Sequence, residues 1–236
     1  MKQVDILIAG GGLVGLPLGI ALAKGGMRVV VADAAPQARR LDPRFDGRVS
    51  ALAYASVRML AALGVWEHLA PHAQPIHEIL VTDGAIGRAP SPFSLHFDAQ
   101  EVGTNALGHI AENRHIRLAL QEAAAATPGL ELIAPSAVKS VTVEDGRASA
   151  ILADGPAIAA PLVIAADGRD SPLREQMGIG KVGWSYPQTG IVATVEHERP
   201  HNGVAYEHFL PSGPFAILPL PGNRSSLVWT ETKARA

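Results

Sequence analysis

At 236 residues, with 47% hydrophobic and 18% charged residues, the chain is long enough to bury one large core or two smaller ones. A net charge of −2 without any basic run argues against a nucleic-acid partner, and the absence of cysteine excludes disulfides and thiol catalysis. No apolar stretch reaches membrane-spanning length without interruption, and a strand stands where a signal peptide would need a charged head, so a cytoplasmic protein is expected, with peripheral contact at the inner membrane face left open.

The first segment, VDILIAGGGLVGLPLGIALAKGGMRVVVAD, spans residues 4 to 33. Val4–Ala9 is an apolar, β-branched run that predicts a buried strand. Leu13–Lys24 carries Leu13, Leu16, Ile20 and Ala23 at helical spacing and stops at Gly25-Gly26, and Met27–Ala32 predicts a second strand. Gly10, Gly12 and Gly15 therefore fit G-x-G-x-x-G between a strand and a helix. The first glycine permits the turn, the second lets backbone approach a pyrophosphate, and the third lets the helix pack close. Gly19 extends that close packing along the same helix face. Leu13 and Val14 lie at the helix start, where free N–H groups and the positive dipole end face an anion. Asp33 ends the second strand and can accept hydrogen bonds from a ribose diol, each worth about 1.5–3 kcal/mol. A carboxylate there suits FAD or NAD over NADP. Pro17 falls inside the expected helix and implies a local distortion near its start.

Residues 41–69 predict a polar loop and then a helix from about Ser50 to Gly64, with Leu52, Val57, Leu60 and Leu63 inward. Arg39, Arg40 and Arg44 read equally as a solvated loop. Residues 76–102 predict short strands joined by Asp83-Gly84 and Pro-rich turns, and residues 108–126 predict a helix stopped by Thr127-Pro128-Gly129. Between 130 and 166 three strands with turns at Asp145-Gly146 and Asp154-Gly155 should form a meander, followed by the apolar strand PLVIAAD. Beyond Pro187 four further strands are expected. The resulting expectation is an α/β nucleotide-binding domain over 1–75 and 103–180, with a β-rich domain over 76–102 and 181–236. Trp184, Tyr186, Phe209, Phe215 and Trp229 are expected in the core of the latter. His68, His72 and His77 are close in sequence but lack a metal-ligand spacing, so no metal is expected.

LVIAADGRDSPLRE, residues 162–175, adds a second candidate turn. Asp167-Gly168 ends a buried strand, and Ser171-Pro172 suits a helix N-cap and first helical residue. The order of these motifs resembles the class A FAD-dependent aromatic hydroxylases, of para-hydroxybenzoate hydroxylase type. DGRVSALA at 46–53, GHIAEN at 108–113 and HNGVAYEHFLPSGPFAILPLPGNRSSLVWT at 201–230 resemble their ubiquinone-biosynthesis branch.

The resemblance implies a Rossmann-like FAD-binding domain of glutathione-reductase type beside a β-rich substrate domain. It implies that Gly10, Gly12, Gly15 and Asp33 hold the ADP half of FAD. Arg48 would reach the flavin side, Asn113 would contact FAD seven residues before Leu120, and Asp167 and Gly168 would serve FAD and NAD(P)H. The implied activity is hydroxylation of a polyprenyl phenol or quinol drawn from the membrane, using NAD(P)H and O2. The resemblance assigns no catalytic base, and the motifs above do not single one out. Two alternatives share the fold: a flavin-dependent polyprenyl reductase, and a non-catalytic lipid-binding subunit of a biosynthetic complex. The family's Gly-Asp motif for the flavin ribityl chain is absent from the 236 residues. The chain therefore reads as the N-terminal part of a longer hydroxylase, expected to hold FAD weakly or not at all, to be inactive alone and to leave apolar surface open to homo-oligomerisation.

Overall fold

A computed structural model describes residues 1–37, 47–88 and 91–236. Arg39, Arg40 and Arg44 lie outside the described residues. In chain order the elements are β1 (Lys2–Gln3), β2 (Ile6–Ala9), α1 (Gly15–Lys24), β3 (Val29–Ala32), β4 (Val49–Ala53), α2 (Tyr54–Ala62) and α3 (Trp66–Leu69). Then follow β5 (Ala73–Ile76), β6 (Glu78–Asp83), β7 (Leu95–Asp98), β8 (Gly108–Glu112), α4 (Asn113–Ala125), β9 (Leu130–Ile133), β10 (Val138–Glu144) and β11 (Arg147–Leu152). The last are β12 (Ile158–Ala160), β13 (Leu162–Ala165), α5 (Pro172–Gln176), β14 (Gln188–Glu196), β15 (Val204–Leu210), β16 (Gly213–Leu220) and β17 (Arg224–Thr232).

The chain divides into two compact units. The first takes the described residues of Met1–Asp42, Leu60–His68 and Ile116–Gly183. Its centre is a parallel sheet in the order β13-β2-β3-β9. Strands covered on both faces are apolar throughout, and β2 and β3 are fully buried. Leu7, Ala9, Val30 and Ala32 pack on one face against Val141, Ala150, Leu152 and Ile158 of the β1-β12-β11-β10 sheet. On the other face α1 lies so close that a Cβ on Gly19 would come within 2.8 Å of Val31 Cγ2. The helix begins at Gly15, so Pro17 sits in its first turn, where a proline costs less than in the helix interior although the bond to the Leu13 carbonyl is not made. Leu16 N still donates to Gly12 O at 3.2 Å and Leu18 N to Val14 O at 3.3 Å.

The second unit takes the described residues of Pro43–Met59, Leu69–His115 and Trp184–Ala236. Residues 47–59, 69–75 and 103–115, which the sequence grouped with the nucleotide domain, pack within this unit. It holds a six-stranded sheet, β14-β17-β16-β15-β6-β7, and a three-stranded sheet, β4-β8-β5. Ile76 and Ile110 of the small sheet pack with Ala205 and Leu220 of the large one.

Two helices expected from sequence start later than predicted, because their first residues are strands. Val49–Ala53 pairs antiparallel with Gly108–Glu112, and helix begins only at Tyr54 and Asn113. Leu60 is buried as expected, whereas Leu52 lies on β4. Of the aromatic residues assigned to a core, Phe215 and Trp229 meet edge to face at 6.1 Å. Trp184 and Tyr186 are exposed, since they precede β14 and sit on no strand, and Phe209 is half-exposed on β15.

Candidate functional site

The carboxyl edge of the parallel sheet gathers three segments of the first unit. β2 runs into Gly10, β3 into Asp33 and β13 into Ala166-Asp167-Gly168. Gly10 N donates to Ala32 O at 2.7 Å and Ala166 N to Ala9 O at 2.7 Å, so the three turns are tied to one another by backbone. Gly10 has φ +102°, and a Cβ there would be driven into the Ala166 carbonyl. Gly15 faces the carbonyl oxygen of Gly10 with no room for a methyl group. Gly12 differs from both, because a Cβ on it would meet nothing within 4 Å. The turn is thus closed on its inner side by Gly10 and Gly15, and open outward at Gly12.

Leu13 and Val14 follow, both with exposed side chains. Val14 is the N-cap of α1 and offers no side-chain cap, so the helix start presents backbone and the positive end of its dipole. Asp33 is half-buried. Its Oδ2 accepts from Gly11 N at 3.1 Å and its Oδ1 from Ala35 N at 2.9 Å. Each carboxylate oxygen retains a further lone pair for a hydroxyl donor. Gly11 N was not singled out from sequence, although three successive glycines signalled that backbone, not side chains, meets this carboxylate.

Asp167 begins the second turn. Its Oδ2 accepts from Leu173 N at 3.3 Å, while Oδ1 is buried with no hydrogen-bond partner. Gly168 has φ +99°, which an L side chain rarely adopts. Ser171 caps α5 by accepting from Arg174 N at 3.0 Å, with Pro172 as the first helical residue. This edge can therefore offer a pyrophosphate bare N–H groups, and a ribose diol the acceptor carboxylate of Asp33.

Arg48 and Asn113 belong to the second unit, where the β4–β8 pairing brings them together. Asn113 N donates to Arg48 O at 3.0 Å, and Ser50 Oγ donates to Asn113 Oδ1 at 2.6 Å. Beside Asn113 lies a group the sequence reading missed. Glu112 is buried, with Arg114 Nε at 2.6 Å and Arg224 at 3.2 Å. A lone carboxylate in the apolar strand GHIAE was its only signal.

The three histidines serve different neighbours. His68 faces Glu122 at 3.1 Å, His72 stacks on His115 at 4.2 Å and His77 Nδ1 lies 3.0 Å from Asn105 O. Among the described residues no cluster suits a metal ion, and no helix is long and apolar enough to cross a membrane.

Residues 3–234 match the FAD binding domain family. The chain is 48% identical over 230 residues to the ubiquinone hydroxylase UbiL of Rhodospirillum rubrum, covering 98% of this chain and 52% of that protein. It is 35% identical over 236 residues to the 3-demethoxyubiquinol 3-hydroxylase of Escherichia coli, covering 99% and 59%. The chain thus spans about half the length of these relatives. Among solved structures it is similar in fold to PqsL of Pseudomonas aeruginosa in complex with 2-aminobenzoylacetate, with TM-score 0.81 and 20% identity over 99% of this chain and 62% of that one. It is also similar to p-nitrophenol 4-monooxygenase PnpA from Pseudomonas putida, with TM-score 0.80 and 17% identity over 99% and 59%.

Proposed function

The chain belongs to the FAD binding domain family, and from that premise we propose that it is the cofactor-holding part of a hydroxylase that uses NAD(P)H and O2 on the ring of a polyprenyl phenol or quinol in ubiquinone biosynthesis. The observation that carries the reading is the meeting of the Gly10–Gly15 turn, Asp33 and Asp167 at one sheet edge. The names of its sequence relatives supply the substrate class.

In this reading the backbone of Gly10, Gly12, Leu13, Val14 and Gly15 receives the pyrophosphate, and Asp33 receives the adenosine ribose. Two features fit the ADP half of FAD. Gly12 leaves space where a phosphate must approach, and the buried Asp167 Oδ1 awaits a donor. Gly168 lets backbone come close beside it, while Arg48 and Asn113 act on the flavin side. When bound, FAD supplies the redox chemistry: acceptance of hydride from NAD(P)H and activation of O2 for transfer to the ring. The protein's own task is to orient the ring and to keep water away from the reacting atoms. The substrate reaches it by peripheral contact with the membrane, within a biosynthetic complex.

Gly12→Val tests the site. The variant should fold as the parent does, because the new side chain enters open space. It should lose about tenfold or more in affinity for FAD and for ADP, measured by calorimetric titration. Equal binding by parent and variant, or no binding of either ligand by the parent, would overturn the reading.

A further inference from the structure

Strand β8 ends on Glu112, whose side chain is 4% exposed and follows the fully buried Ile110 and Ala111. Its two oxygens go to different elements. Arg114 Nε, in the first turn of α4, lies 2.6 Å from Oε2, and Arg224 Nη2, at the start of β17, lies 3.2 Å from Oε1. Arg224 is itself aimed, because its Nε donates to Pro221 O at 3.2 Å. The carboxylate therefore joins the small sheet, the helix that leaves it and the large sheet at one point.

Stability alone does not call for a charge here. Leu220, opposite Arg224 on β16, already packs with Ile110 in the apolar contact between the two sheets. A buried ion pair repays its desolvation poorly, and well-packed apolar residues of similar volume often serve as well or better. What a carboxylate shared by two guanidinium groups adds is direction, since each planar fork meets an oxygen in a narrow set of orientations.

Direction matters because of what this strand end carries. Val49 pairs with Glu112, Asn113 N donates to Arg48 O at 3.0 Å, and Ser50 Oγ donates to Asn113 Oδ1 at 2.6 Å. The Ser50 bond occupies the amide oxygen of Asn113 and leaves its two side-chain N–H donors without a partner among the described residues. We propose that Glu112 is a positioning residue for the flavin half of the cofactor: held by Arg114 and Arg224, it fixes the strand end from which Asn113 and Arg48 act. The inference rests on the reading above for those two roles. Glu112 acts through its neighbours, because both of its oxygens are already engaged.

Titrations with FAD and with ADP separate this role from a merely structural one, because only FAD carries a flavin. Glu112→Gln keeps the size and one acceptor oxygen but gives up the ionic hold on the two guanidinium groups. It should bind ADP within about twofold of the parent and FAD about tenfold more weakly. The absorbance of its bound flavin should move toward that of free FAD. Arg224→Met, which leaves Glu112 paired with Arg114, should show the same selective loss, and the double variant should lose little more than either single one. If Glu112→Gln does not fold, as circular dichroism would show, Arg224→Met carries the test. Equal loss of both ligands, or FAD held at the parent's strength by the variants, would overturn the proposal. So would a parent that binds ADP but holds FAD no more tightly, since there is then no flavin contact to position. These outcomes leave the broader reading standing, whereas a parent that binds neither ligand overturns that reading and this inference with it.

Discussion

Gly15 and Gly12 differ by three positions and by everything that surrounds them. A methyl group on Gly15 has nowhere to go, because the carbonyl of Gly10 already fills its place and both partners are backbone. Gly15→Ala should therefore push α1 off the sheet and cost about 3 kcal/mol or more, the range of severe core overpacking. Gly12→Ala should change stability by no more than about 0.5 kcal/mol. Urea midpoints of the two variants check this directly. Equal destabilisation would mean that the turn is not closed in the way its backbone contacts indicate. Asp33 adds a second constraint at this scale, since its carboxylate holds Gly11 N and Ala35 N and so fixes the turn as well as offering lone pairs outward.

At the scale of elements, the junction of β8 and α4 places several charged or titratable groups in a small space. His115 stacks on His72, and Glu112, Arg114 and Arg224 lie around it. Burial, and then the neighbouring His72, hold the His115 imidazole below its ordinary value of 6.5. His109 is lowered too, by burial first and then by His77. The folded chain thus binds these protons less readily than the unfolded one. Their contribution is complete above about pH 6.5 and is lost as pH falls toward the lowered folded values. Stability should decline from pH 7.5 to 5.5, and the His109→Gln, His115→Gln double variant should decline less. Urea midpoints at three pH values in that window would show it, and parallel slopes would refute the assignment.

The same junction explains what the sequence left unread. Val49–Ala53 and Gly108–Glu112 each run directly into a helix, with no glycine or proline between Ala53 and Tyr54 or between Glu112 and Asn113. Each strand exists because of the other, over 50 residues away, and Gly108 is pressed against the Leu52 carbonyl. No local period carries that information. The Gly-rich edge was legible for the opposite reason: its strand, turn, helix and strand lie within residues 6–33, and the spacing of Gly10, Gly12, Gly15 and Asp33 is fixed by local geometry. Trp184 and Tyr186 were misjudged because bulk alone was read as burial.

For the whole molecule, ligand binding and folding are linked. A ligand held only by the folded chain adds about 2.7 kcal/mol at a hundred times its dissociation constant. For a chain of this length that is a rise of roughly 5–10 °C in melting temperature. FAD or ADP at such excess should produce it in the parent and not in Gly12→Val. An unchanged parent would argue that the edge, though formed, does not take the nucleotide.

The parallel sheet also imposes an order on the protein's birth. β2 leaves the ribosome well before its neighbour β13, which lies roughly 150 residues later in the chain. At about 5–20 residues per second, the ribosome needs on the order of ten to thirty seconds to supply that partner. Through that interval one flank of an entirely apolar strand is an open template for any other chain. Slow translation should thus lower the soluble yield unless a chaperone shelters β2.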